Sequence, residues 1–216
     1  NYVHLPQLHA SQRHIDESRL PSRDERLAIY ARSQCQLLQA GYRYIGMGQF
    51  ALPDDDLSLA RETGLMSRGL QGYVPGEQTD LLGFGMAAIS QVGDLRCRNT
   101  GDVLEYQQSL ARDRLPLRTG LRCTADDRLR SAVIQQLMCR FALRFSDIEK
   151  RFNIEFFAYF ADCRAQLQQM HDDGLLQLGE RGIQVLPAGK PLIARICMVF
   201  DAYQQVGNAN RYAHTL

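Results

Sequence analysis

Several things that would place a chain in a class at once are missing from this sequence. No apolar run approaches the roughly 20 residues needed to cross a bilayer, and Arg13, Asp16 and Glu17 interrupt the opening stretch before a signal peptide could form. The chain therefore reads as soluble and cytoplasmic, with no membrane partner. An excess of one charge is missing too: 25 Lys and Arg stand against 24 Asp and Glu, for a formal net charge of +1. No global field draws the chain to nucleic acid or to an acidic polymer. Cys35, Cys97, Cys123, Cys139, Cys163 and Cys197 are dispersed, and none lies within four residues of another, as a clustered zinc or iron–sulfur ligand set requires. They read as reduced thiols, with Cys197, between Ile196 and Met198, a small buried hydrophobe. His4, His9, His14, His171 and His214 show no metal spacing. Internal repeats and low-complexity segments are absent as well.

What is present is a globular pattern: 216 residues, 45% of them hydrophobic, can bury a sizeable core. Asn1-Tyr2-Val3-His4-Leu5-Pro6 reads as the exit of a strand that begins upstream. Ser22-Arg23-Asp24-Glu25 is a capping box opening a helix whose Leu27, Tyr30, Ala31, Leu37 and Leu38 share a face and which Gly41 stops. A strand over Tyr42 to Met47 follows, then a short helix capped by Asp54. Leu81 to Ser90, apolar and interrupted by glycine, suits a buried strand. This alternation predicts parallel α/β units. From Thr124 the pattern becomes helical: Leu129, Val133, Leu137 and Phe141 recur every four residues in a helix reaching about Phe145. A second capping box at Ser146 to Glu149 and a long helix from Ile154 to Asp173, ended by Gly174, come next. A hairpin around Gly179 to Gly182 and a last helix near Pro191 to Tyr203 complete the order. Three helices and a hairpin resemble a winged helix. The break falls between Arg114 and Thr124, giving regions 1–120 and 121–216.

Ordered motifs run along the whole chain: Asn1-Tyr2-Val3-His4-Leu5-Pro6 with Gln12-Arg13, Tyr44-Ile45-Gly46-Met47, Phe50-Ala51, Pro53-Asp54-Asp55, Gln71-Gly72-Tyr73 and Thr79-Asp80-Leu81-Leu82-Gly83. Ile89-Ser90, Asp126-Asp127 and Gly182-Ile183-Gln184-Val185 complete the set. Their order and spacing resemble the C-terminal portion of the oxygen-independent coproporphyrinogen III oxidases, a radical S-adenosylmethionine family of haem biosynthesis. The resemblance implies the later strands and helices of a partial (β/α) barrel, followed by a helical, winged-helix-like domain. It also implies oxidative decarboxylation of two propionates of coproporphyrinogen III to vinyl groups, with S-adenosylmethionine, a 4Fe-4S cluster and an electron donor. The family's CxxxCxxC cluster segment does not occur here, so the cluster ligands are expected in a missing N-terminal barrel half, and the fragment alone is expected to be inactive. Val3, Ile89 and, more weakly, Gln71 carry over as cofactor contacts; Val3 and Ile89 can offer only backbone groups and apolar surface. No catalytic side chain and no metal ligand carries over.

Gly48-Gln49 stands where the family usually has Asp-His, and Gly69-Leu70 where it has Asn-Phe. These departures leave room for a diverged paralogue acting on another tetrapyrrole, or on none. A winged-helix nucleic-acid module is the reading from another class, but Ile154 to Asp173 carries Glu155, Asp162, Asp172 and Asp173 against Arg164, a net −3 with His171 neutral. Such a helix repels phosphate, so no nucleic-acid partner is expected. Arg13, Arg61 and Arg68 suit propionates as guanidinium forks, with solvated surface as the ordinary alternative. Gly83 and Gly85 suit either close cofactor approach or tight packing. Asp54-Asp55-Asp56 reads as a helix start, and Phe156, Phe157, Tyr159 and Phe160 as core. An apolar flank left uncovered by a missing barrel half would favour self-association.

Overall fold

Ser22 sets the first helix: its hydroxyl accepts from the Glu25 N–H while the Glu25 carboxylate accepts from the Ser22 N–H, so α1 (Arg23–Gln39) starts on a complete capping box. In the computed structural model, which describes residues 4–7, 9–69, 71–77 and 79–203, none of α1 is buried. The expected opening strand around Val3 lies outside the described residues. β1 (Arg43–Gly46) turns at Met47 and Gly48, both at positive φ, into β2 (Gln49–Ala51). α2 (Asp56–Thr63) is capped by Asp55, one residue after the expected Asp54, and Gly64 ends it in the left-handed region. β3 (Met66–Gly69) and β4 (Gly72–Pro75) form a second hairpin. β5 (Ile89–Val92), β6 (Leu95–Asn99) and β7 (Leu117–Arg122) make a sheet in that order, with α3 (Val103–Leu110) between the last two strands.

Every pairing among the described strands is antiparallel, which corrects the expectation of parallel α/β units. Connection length is the reason: β1–β2, β3–β4 and β5–β6 are joined by two-residue turns, whereas a parallel pair needs a crossover of about a dozen residues or more. The expected buried strand from Leu81 to Ser90 is also corrected. Gly85 and Ala87 take positive φ, which breaks an extended ladder, and Leu82, Phe84 and Met86 are exposed. Of this range Leu81 makes an isolated bridge to Gln91, and Ile89 and Ser90 belong to β5.

α4 (Ala125–Arg140) opens on a second complete capping box, Thr124 with Asp127. It stops short of the expected Phe145 because Phe141 turns left-handed and gives its carbonyl to the Val185 N–H at 2.8 Å and the Gln184 Nε2 at 3.1 Å. β8 (Ala142–Arg144) leads into α5 (Phe145–Phe152). Ser146 is therefore not the cap: the Phe145 N–H is taken by the Arg181 carbonyl, and the Glu149 carboxylate accepts from the Phe156 N–H at 3.0 Å. The expected long helix is broken into α6 (Phe156–Tyr159), a 3-10 turn at Ala161–Cys163 and α7 (Arg164–Asp172). Asn153 at positive φ separates α5 from the Glu155 cap of α6, and Phe160 leaves helical geometry, so Phe156 and Phe160 both enter the core. Gly174 closes α7 at positive φ as its spacing implies. β9 (Leu176–Gly179) and β10 (Gly182–Val185) form the expected hairpin, and β8-β10-β9 is the strand order. α8 (Ile193–Met198) is shorter than expected, and Phe200 beyond it is fully buried.

Two apolar clusters result. The larger joins Leu129, Val133, Leu137 and Phe141 of the α4 stripe to Phe145, Ile148, Phe156, Phe160, Leu176, Ile183, Ile196 and Phe200. The smaller holds Ile45, Ala51, Ala60, Met66, Tyr73 and Cys139. Tyr44 packs on the larger cluster, stacked on Phe141 at 6.3 Å, and stands edge-on to Phe50.

Candidate cofactor-facing site

Ile89 opens β5 with its side chain 39% exposed, directly across the ladder from Arg98. The segment before it is exposed yet tied down. Leu81 and Gln91 exchange backbone hydrogen bonds at 2.7 and 2.8 Å, the Gly83 N–H donates to Ser90 Oγ at 2.9 Å, and the Ala87 N–H donates to the Thr100 carbonyl at 2.8 Å. Buried Asn99 adds its Nδ2 to the Gly85 carbonyl at 2.8 Å, and buried Thr100 donates to Glu105. Leu82, Phe84, Met86 and Ile89 are thus apolar groups on a braced loop, and Phe84, 89% exposed, is the extreme case. Gly83 is needed for packing, since a Cβ there would stand 2.5 Å from the Ile89 carbonyl oxygen; Gly85 is needed for its φ of +99°.

Gln71 lies exposed at the turn between β3 and β4, in a different sheet from Ile89, and Val3 lies outside the described residues. The hairpin carrying Gln71 is gripped from two sides. From α4, Gln135 accepts from the Arg68 N–H at 3.1 Å and donates Nε2 to the Arg68 carbonyl, replacing a missing strand neighbour. From β2, Gln49 Oε1 accepts from the Tyr73 N–H at 3.3 Å. Tyr73 is buried under both, its hydroxyl donating to the Met138 carbonyl at 3.0 Å, and burial raises that phenol well above its ordinary pKa.

The other candidates divide. Arg61 is half-buried, donates to the carbonyls of Tyr44 and Ile45 and lies 4.8 Å from the Phe141 ring centroid, so it is a structural clamp rather than solvated surface or a propionate fork. Burial lowers its pKa from the ordinary value. Arg68 lies 5.0 Å from the Tyr73 ring, and Arg13 donates to the Pro6 carbonyl at 3.0 Å. The shallow depression beside Arg61, about 340 Å³, is lined by Glu62, Thr63, Gly64 and Arg140, where Arg140 donates to the Gly64 carbonyl at the end of α2. His171 makes contacts to the Leu176 carbonyl and the Leu178 N–H, tying α7 to β9. Phe156 and Phe160 are core and Phe157 packs against it, but Tyr159 is not core as expected: it is exposed and its hydroxyl donates to Asp126 at 2.6 Å. Among the described residues no group of three His, Cys, Asp or Glu could hold a metal ion.

The whole chain aligns with the oxygen-independent coproporphyrinogen III oxidase of Thermostichus vulcanus at 38% identity, covering 67% of that protein. The chain belongs to this family. The coproporphyrinogen III oxidase of Pseudomonas aeruginosa is 46% identical over 100% of this chain and 47% of its own length. The solved structure described as coproporphyrinogen III oxidase (HemN) from Escherichia coli, a radical SAM enzyme, superposes with a TM-score of 0.91 at 41% identity, covering 94% of this chain and 47% of that one. Residues 123–192 match the family's HemN C-terminal domain. The chain thus spans about half the length of most curated oxidases it matches.

The residues that hold the oxidase-family motifs in place were not legible in advance. Gln135 lies on the polar side of the Leu129, Val133 and Leu137 stripe, and its pairing with the Arg68 backbone depends on a β3 edge with no sequence signal of its own. Gln49 was visible as a departure from the family pattern, without any sign that its amide binds the next hairpin.

Proposed function

We propose that this chain is the C-terminal part of an oxygen-independent coproporphyrinogen III oxidase that decarboxylates two propionates to vinyl groups in haem biosynthesis, in the cytoplasm. The observation that carries the reading is likeness over nearly the full chain, in sequence and in fold, to a radical SAM oxidase. In that reading residues 1–120, whose described strands pair only antiparallel, are the region that adjoins the family's barrel, and 121–216 form a helical cover. The order α4, β8, α5, α6, α7 and the β9–β10 hairpin, with sheet order β8-β10-β9, supports a winged-helix topology for the cover. The acidic stretch 154–173, divided among the α6 cap, a 3-10 turn and the end of α7, favours an intramolecular role over nucleic-acid binding.

S-adenosylmethionine fits the residues present through contact, not through chemistry. Ile89 supplies an exposed apolar face on a braced backbone and Gln71 an exposed amide; with Val3 they are the proposed cofactor contacts, which orient the adenosyl group and limit water around it. When bound in such enzymes, S-adenosylmethionine supplies the radical that abstracts hydrogen from the propionate. A 4Fe-4S cluster does not fit here: the described cysteines are dispersed, and Cys139, Cys163 and Cys197 are buried. In this reading the cluster is held by residues other than these cysteines, and an electron donor is a further proposed partner. Iron and sulfide analysis of this chain after anaerobic reconstitution is expected to find neither. The exposed Leu82, Phe84 and Met86 support self-association of the chain alone, measurable by sedimentation.

The deciding assay uses the full-length protein containing this chain, anaerobically, with coproporphyrinogen III, S-adenosylmethionine and a reductant. Vinyl product is expected, and its absence overturns the reading. A diverged paralogue is the second reading, favoured by one observation: Gln49 is committed to the Tyr73 backbone. Gain of vinyl product only when Gly48-Gln49 is changed to Asp-His would decide for it.

A further inference from the structure

We infer that Gln49 is a positioning residue: its side-chain amide fixes the β3–β4 turn and so sets how Gln71 is presented to cofactor. The inference rests on the reading of Gln71 as a cofactor contact. Gln49 sits in β2, on a hairpin whose own turn is held by positive φ at Met47 and Gly48. Its Oε1 accepts from the Tyr73 N–H at 3.3 Å, and its Nε2 occupies the space in which a Cβ on Gly72 would stand, 2.7 Å away. Gly72, at φ +123°, immediately follows Gln71, so the Gln49 amide lies against the backbone that carries the candidate contact.

The rest of the hairpin has other restraints. Gln135 holds Arg68 on β3, and the Tyr73 hydroxyl reaches the Met138 carbonyl. A Cβ on Gly46 would lie 2.4 Å from that hydroxyl, so β1 closes over Tyr73 as well. These contacts anchor β3 and the Tyr73 ring to α4 and β1, while Gln49 holds the backbone of Gly72 and Tyr73, the start of β4 directly after the turn. Removing it should loosen the turn without unseating the hairpin. Because the group acts on binding geometry and donates no proton to a reacting atom, the effect belongs in apparent cofactor affinity more than in turnover.

The test uses the full-length protein with Gln49→Leu and Gln49→Glu. Without cofactor, hydrogen exchange of the segment 71–75 is expected to quicken about tenfold in Gln49→Leu, the scale of one lost hydrogen bond, and to return close to the parent rate in Gln49→Glu, which keeps the accepting oxygen. With cofactor, Gln49→Leu is expected to raise the KM for S-adenosylmethionine several-fold with a smaller change in kcat. Unchanged exchange in Gln49→Leu overturns the clamp. Faster exchange with an unchanged KM overturns the positioning role. If Gln49→Leu does not fold, exchange in Gln49→Glu decides: parent-like protection supports the clamp, and protection lost as in an unfolded turn overturns it. A parent protein without S-adenosylmethionine-dependent turnover sinks the functional reading by a separate result, since the exchange measurement needs no cofactor.

Discussion

Phe141 carries more constraint than its place at the end of a four-residue stripe suggests. It is fully buried at φ +53°, a conformation that opposes its Cβ, and it persists because the surroundings over-determine it. Its carbonyl is held by Val185 and Gln184, while its ring meets Tyr44, Arg61 and Lys190. Replacing it by Ala should cost about 3–5 kcal/mol, the range for a buried aromatic. Gly should then be less damaging than Ala by about 1 kcal/mol, the reverse of the ordinary helix order, because it relieves the left-handed strain. Urea denaturation of both variants checks the sign. The buried thiols make a second test at this scale: burial pushes Cys139 up to about 11 and Cys197 up to about 12, from an ordinary 9.0. Thiol reagents at neutral pH should label exposed Cys35 well before Cys139, Cys163 and Cys197. With folded pKa values raised, the stability tied to the neutral thiols is present below about pH 9 and lost as the pH rises through them. Cys197→Ala should flatten that alkaline decline.

Helix starts are the elements whose outcome was most legible, and the Thr124–Asp127 box shows why: every group it needs lies within three residues. Thr124→Ala should cost about 1 kcal/mol. Hydrogen bonds from the Thr124 backbone N–H, and then from its hydroxyl and Tyr203, hold the Asp127 carboxyl below its ordinary pKa. A depressed folded pKa gives stability that is present above about pH 4 and lost as the pH falls through the folded value. Asp127→Asn should therefore reduce the acid sensitivity of thermal unfolding, by a small amount because the group is exposed; an unchanged acid slope would sink the assignment. Ser146 failed as a cap for the opposite reason: its alternative is tertiary, with the Phe145 N–H spent on Arg181 and its ring stacked at 4.2 Å on Phe156. The same competition broke the long helix at Phe160. β2, β3, β4, β6, β7 and β8 were missed because, at three to six residues, they are too short for an alternation such as Leu95-Arg96-Cys97-Arg98 to stand out. Leu81 to Ser90 misled because apolar content says nothing of burial when Gly85 and Ala87 turn the backbone. The candidate site shared this fate: Ile89 and Gln71 were named through family likeness, while the hydrogen bonds that brace them join residues far apart in sequence.

At the scale of the molecule, apolar burial is distributed very unequally. The larger cluster lies in residues 129–200 and the smaller draws on β1 to β4 with Cys139, while the sheet of β5, β6 and β7 contributes no residue to either. Its one buried strand residue is polar, Asn99, followed by buried Thr100, and all of β7 is exposed. That sheet is held by its ladders and by side-chain to backbone hydrogen bonds with little hydrophobic support. Such a region should open at lower free energy than one with a dense core. Native-state hydrogen exchange of this chain should therefore show amides of residues 81–122 exchanging at least about tenfold faster than those of α4 and β10, with β3 and β4 between them. Equal protection throughout would mean that the antiparallel ladder alone confers the cooperativity assigned to the aromatic core. The contrast bears on the proposed cofactor contact directly. Ile89 stands on the weakest of these sheets, so apolar contact made there, whether with cofactor or with the rest of a longer chain, should raise protection in 81–122 more than anywhere else.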